Sequence, residues 1–140
     1  MLEFGQPLHA FDLREVQGGI VVRHARHGET LTLLDGTELQ LMPATLVIAD
    51  QGGPIGLAGI MGGQNSGVGE NTQTIFLESA YFRPDTVARC AREYGLQTDA
   101  SYRFERGVDP SQQRRAVLRA SALLADICSG SPGPVCEVSS

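Results

Sequence analysis

Up to Ala80 the chain is a series of short apolar runs broken by glycine and polar turns. Helical spacing of apolar residues appears only after Pro84. IVVRHA (20–25) reads as a strand. TLTLL (30–34), the pair Asp35-Gly36 and TELQL (37–41) alternate on both sides of an Asp-Gly turn, the pattern of a β-hairpin. TLVIAD (45–50) is continuously apolar, as in a strand covered on both faces. GGPIGLAGIMGG (52–63) is apolar but glycine-rich, which weakens a strand interior and marks close approach of a ligand or another backbone. TIFLESA (74–80) is a further strand candidate carrying one carboxylate, Glu78. PLHAFDLREV (7–16) fits a short helix or an irregular turn.

Pro84 suits a first helical position. Val87, Cys90, Ala91 and Tyr94 follow at helical spacing, and Gly95 supplies the stop. Asp109-Pro110-Ser111-Gln112 reads as a capping box with proline at N1. It opens a helix to about Cys128, with Val117, Ala120, Leu124 and Ile127 on one face, closed by SGSPGP (129–134). The intervening LQTDASYRFERGV (96–108) is ambiguous and is read as a strand with turns. Strands first and helices after predict an α+β domain with antiparallel or mixed sheets and flanking helices.

Composition narrows the chemistry. At 140 residues, 41% hydrophobic and 19% charged, the chain is one domain with enough apolar content for a core. A formal charge of −5 argues against strong autonomous binding to nucleic acid. All 11 basic residues are arginine, which excludes a Schiff-base lysine and a P-loop lysine. Three cysteines without a CxxC point to reduced thiols in a cytoplasmic protein and to no structural zinc site. No apolar run is long enough to span a membrane, and the N-terminus lacks the form of a signal peptide. It begins without a preamble, as though cut from something longer.

There is no GxSxG elbow, and the glycine stretches match neither phosphate-binding fingerprint. Cys90 lies on the apolar face of its helix, as a packed thiol would. His24 and His27 are read as solvated side chains. His9, beside the stiffening Pro7, is either a packed turn histidine or one positioned to hold a water or a hydroxyl. Glu78 either faces solvent, which strand alternation favours, or is buried with a purpose. Arg103, Glu105, Arg106 and Asp109 are read as an ion-pair network anchoring the last helix, and Arg114, Arg115 and Arg119 as its solvated face.

GQPLHAFD, GGIVVR, TLTLLDG, TLVIAD, GLAGIMGG, LESAYF, YGLQTDAS and YRFERGVDP, in this order, resemble the B3/B4 editing domain of bacterial phenylalanyl-tRNA synthetase beta subunits. The resemblance implies a layered B3/B4-type domain over residues 1–135, lacking its N-terminal part, with 136–140 starting a linker. It implies hydrolysis of tyrosine wrongly esterified to tRNA(Phe). Glu78 and His9 would be the catalytic pair, Glu78 accepting the tyrosine hydroxyl and His9 orienting water or the terminal ribose. Gly62, Thr98 and Ala100 would line the substrate pocket, Gly62 letting the aminoacyl group approach the backbone. The parent would be a ligase of two alpha and two beta subunits, binding tRNA(Phe). Its ATP and magnesium would act elsewhere, so no cofactor or metal is expected here. Tyr102 stands where the family commonly has histidine. The alternative is a non-catalytic structural or small-ligand-binding B3/B4 fragment.

Overall fold

A computed structural model describes residues 1–138. Eight short strands precede three helices: β1 His9–Asp12, β2 Val21–His24, β3 Thr30–Thr32, β4 Glu38–Gln40, β5 Leu46–Ala49, β6 Pro54–Leu57, β7 Met61–Gly62 and β8 Ile75–Glu78, then α1 Pro84–Tyr94, α2 Asp99–Arg106 and α3 Gln113–Cys128. The fold is α+β, and every strand pairing is antiparallel.

The central sheet runs β2-β5-β6-β7. Its middle strand β5 is the continuously apolar segment, and Val47, Ile48 and Ala49 are buried as that pattern requires. β3 and β4 form the expected hairpin, but in a register that differs from a two-residue Asp-Gly turn. Leu31 faces Leu39 and Thr32 faces Glu38 across a longer connection, in which Asp35 accepts the Thr37 amide through its side chain. This register sets apolar Leu31 against apolar Leu39. Leu33, fully buried, bridges to Gly63 and so fixes which residues face inward.

Residues 7–16 are neither helix nor irregular turn throughout. His9–Asp12 forms β1, paired with β8 far along the chain as a two-stranded ribbon. No local pattern announces such a pairing, since the partner lies more than sixty residues away.

The helices follow their caps. Pro84 opens α1, and Gly95 closes it at φ 65° with its N–H returned to the Ala91 and Arg92 carbonyls. Val87, Cys90 and Ala91 are its buried face. The segment read as a strand with turns contains α2, begun by a reciprocal cap. Thr98 Oγ1 accepts the Ser101 amide, and Ser101 Oγ accepts the Thr98 amide. α3 ends at Cys128 as expected but begins at Gln113. Asp109 does not cap it; its carboxylate takes the Ser111 amide and hydroxyl in a turn just before it.

One further expectation for this region is corrected. The predicted ion-pair network is not formed among the described residues: Arg103 reaches Asp99 at 3.8 Å, and the Arg106 guanidinium lies 3.4 Å over the Tyr102 ring. Arg114, Arg115 and Arg119 are exposed, as read, with Arg114 and Arg119 in surface pairs with Glu137 and Glu3 and Arg115 over Phe4. The apolar stripe of α3 lies open. Only Ala116 is buried on this helix, and Ile127 is 77% exposed.

Candidate active site

His9 and Glu78 stand directly opposite one another on β1 and β8. Opposite residues of an antiparallel pair share one face, and alternation adds Phe11 and its partner Phe76 to that face. The His9 ring meets Phe11 edge-on at 4.4 Å, and Phe11 lies 6.3 Å from Phe76. Phe11 is fully buried, so the imidazole rests on an immobile ring.

Asp12 falls on the opposite face and cannot support His9. Its carboxylate accepts hydrogen bonds from the Arg14 backbone and guanidinium and from Thr72 Oγ1. These bonds, chiefly those to the Arg14 and Thr72 side chains, hold its pKa well below the usual carboxylate range. Asp12 is a saturated clasp between β1 and the polar loop before β8.

The histidine and the glutamate are the reverse case. His9 Nε2 and Glu78 Oε2 are buried and have no hydrogen-bond partner. Withdrawal from water pushes the Glu78 carboxyl up to about 7 and lowers the His9 imidazole from its ordinary value. The solvent-facing expectation drawn from strand alternation is overturned for this carboxyl oxygen. β8 lies beside β1 with Glu78 directly across from His9, a neighbour that alternation within one strand does not reveal.

Gly62 comes to the pair through β7. A Cβ placed there would overlap His9 at Cε1 and Nε2. The space above Gly62 therefore holds the imidazole, and the glycine's immediate effect is to seat that ring. The neighbouring polar backbone is also engaged: the Gly62 carbonyl accepts from the Leu34 amide, and the Gly63 amide donates to Ile55 O.

Thr98 joins this group at one remove. Its hydroxyl, while capping α2, donates to Ile60 O at 2.9 Å, two residues before Gly62. Ala100, half-buried, is the second residue of α2 and is placed by that cap. The structure thus brings His9, Gly62 and Glu78 into one cluster and ties Thr98 to the Gly59–Gly62 turn. Two cavities lie elsewhere, against the β3–β4 hairpin, lined by Thr30, Leu31 and Thr32 among others.

Other candidates stay outside the site. His24 and His27 are exposed. Cys90 is buried, and desolvation raises its thiol to about 11, as for a packed core residue. Sequence reasoning missed Gln6 and Phe11. The first was visible as a polar residue next to Pro7, the second as the aromatic two positions after His9 on one strand face.

The ribbon carries a buried, unpartnered acid oxygen opposite a buried, unpartnered imidazole nitrogen, beside a glycine turn. The B3/4 domain family model matches residues 1–129, and the chain belongs to this family. It is 56% identical over its whole length to the phenylalanine–tRNA ligase beta subunit of Pectobacterium atrosepticum. It is 59% identical over 99% of its length to that of Nitrosococcus oceani, and 59% over all of it to that of Hahella chejuensis. The chain spans 17–18% of the length of these relatives. No helix among the described residues is long and apolar enough to cross a membrane.

Proposed function

We propose that this domain belongs to the beta subunit of a phenylalanine–tRNA ligase and hydrolyses tyrosine wrongly esterified to tRNA(Phe). The alpha subunit is then its partner, and the ligase's ATP and magnesium act outside these residues. The observation that carries the reading is the pair of orphaned buried atoms, His9 Nε2 and Glu78 Oε2, opposed across one ribbon.

Tyrosine exceeds phenylalanine by one hydroxyl, and an apolar pocket rejects such a near-isostere by only about 100-fold. A second site that demands the hydroxyl supplies the rest. The phenol donates to the Glu78 carboxylate. Phenylalanine leaves that acceptor desolvated and unpaired, a cost of about 1–3 kcal/mol. Lowered basicity keeps His9 neutral near pH 7, so one ring nitrogen is free to accept from a water or a ribose hydroxyl and aim it at the ester. An aminoacyl ester is already activated, so a positioned water suffices and no acyl-enzyme is needed. Gly62 gives the imidazole its room, and Thr98 and Ala100 bound the pocket on the α2 side.

The test uses the full-length ligase charged with tyrosyl- and phenylalanyl-tRNA(Phe). Glu78→Ala is expected to abolish the preference for releasing tyrosine, and His9→Ala to slow release of both esters. An unchanged preference in Glu78→Ala refutes the role given to Glu78, and release of neither ester by the wild-type ligase leaves a non-catalytic B3/4 fold.

A further inference from the structure

His9 and Glu78 form the terminal rung of their ribbon. At the far end the pairing is prolonged by backbone: Leu13 N–H donates to Thr74 O. At the near end, among the described residues, no backbone hydrogen bond joins the chain before His9 to the chain after Glu78. A terminal pair of a short ribbon frays unless something replaces the next rung. These two side chains cannot hold each other, since their buried polar atoms are unpartnered.

Gln6 occupies the place of that rung. It is a polar residue only 1% exposed. Its Nε2 donates to Pro7 O at 2.9 Å and to Ala80 O at 2.8 Å, spanning from the β1 side to the β8 side. Its Oε1 accepts from Gln113 Nε2 at 3.0 Å, in the first turn of α3. Ser79 Oγ closes the loop by donating to Gln113 O at 2.9 Å. One amide thus engages both N–H donors and its oxygen, and ties together the segment before β1, the segment after β8 and the base of α3.

We propose that Gln6 is the positioning residue of this site: its side-chain amide stands in for the missing rung and holds His9 and Glu78 at fixed separation and out of water. The inference rests on the editing reading for its functional consequence but not for its structural one. A Gln6→Met variant keeps the volume and the unbranched shape and removes all three hydrogen bonds.

Carbon-13 NMR titration of the Glu78 carboxyl in this chain gives the first readout. In Gln6→Met the midpoint is expected to fall from about 7 toward the ordinary 4.5, because fraying admits water to the carboxyl. The second readout, in the full-length ligase, is the ratio of tyrosyl to phenylalanyl ester hydrolysis. It is expected to drop about 10- to 100-fold, the penalty for a small misplacement of a working group. If Gln6→Met does not fold, Gln113→Met, which removes one bond from the same amide, is expected to move both readouts the same way by less. A lower melting temperature with both readouts unchanged overturns the proposal, because a merely structural residue behaves so. If Glu78→Ala abolishes the ratio while Gln6→Met alters neither readout, the positioning role fails and the editing reading stands. If the midpoint falls but neither variant alters the ratio, the positioning role stands and the editing reading fails.

Discussion

The Cα of Gly62 and the imidazole of His9 share one small space: the ring lies where any larger residue at position 62 would place its Cβ. Gly62→Ala therefore forces the histidine to move, since Gly62 is held in β7 against Gly56. Ester hydrolysis by the full-length ligase is expected to fall about 100-fold, the scale of a 1 Å displacement of a catalytic group. Circular dichroism should show the fold retained. Full activity in this variant would mean that the ring position is irrelevant to turnover.

Glu78 makes stability depend on pH in a defined direction. Its folded value, about 7, lies above the ordinary 4.5, so the folded chain holds the proton more tightly than the unfolded one. The resulting stabilisation is complete below pH 4.5 and is lost as pH rises through about 7. The 2.5-unit difference between those values corresponds to about 3 kcal/mol at most. Urea denaturation of the wild type and of Glu78→Gln across this window should give curves that diverge as pH rises, the variant losing less. Parallel curves would place the carboxyl in water.

Thr98 caps α2 and anchors the Gly59–Gly62 turn with one hydroxyl. Thr98→Ala should cost about 1 kcal/mol for the cap and a similar amount for the bond to Ile60. Thr98→Ser, which keeps the oxygen, should recover most of it. Chemical denaturation of the three chains measures the difference.

Gly59 sits at φ +74°, with Val87, Phe104 and Phe82 crowding the site of a Cβ. Gly59→Ala meets both backbone strain and overpacking where α1 and α2 approach the turn, and should destabilise by about 2–4 kcal/mol. A melting temperature within a degree of the wild type would show that the helices yield there freely.

Thiol titration separates the cysteines. Cys128 and Cys136 are exposed and Cys90 is buried with its thiol raised to about 11. Two of the three should react promptly in the native chain and the third only on unfolding. Three fast thiols would indicate an open α1 face.

What the residues disclosed follows the range of the interactions. α1 was legible because Pro84, its apolar spacing and Gly95 lie within one helix length. β5 was legible because burial on both faces leaves an unbroken apolar run. β1 was not, since its partner β8 is remote and HAFD carries no alternating pattern of its own. α2 was missed although Thr98 and Ser101 are three apart, because the serine stands where a capping box more often has glutamate. Within the site, the residue types at His9, Gly62 and Glu78 were recognisable through family resemblance. The orphaning of the two polar atoms and the Gln6 clamp depend on strands meeting across the fold, which no local window contains.

The bond from Thr98 to Ile60 gives the molecule a built-in optical reporter. The chain has no tryptophan and three tyrosines, so its ultraviolet emission comes from tyrosine alone. Tyr102 sits one turn beyond Thr98, stacked beneath Arg106. A shift of the glycine turn is expected to pull on the start of α2 through that bond and to disturb the stack. Movement of that turn is therefore expected to show in tyrosine fluorescence without attaching any dye.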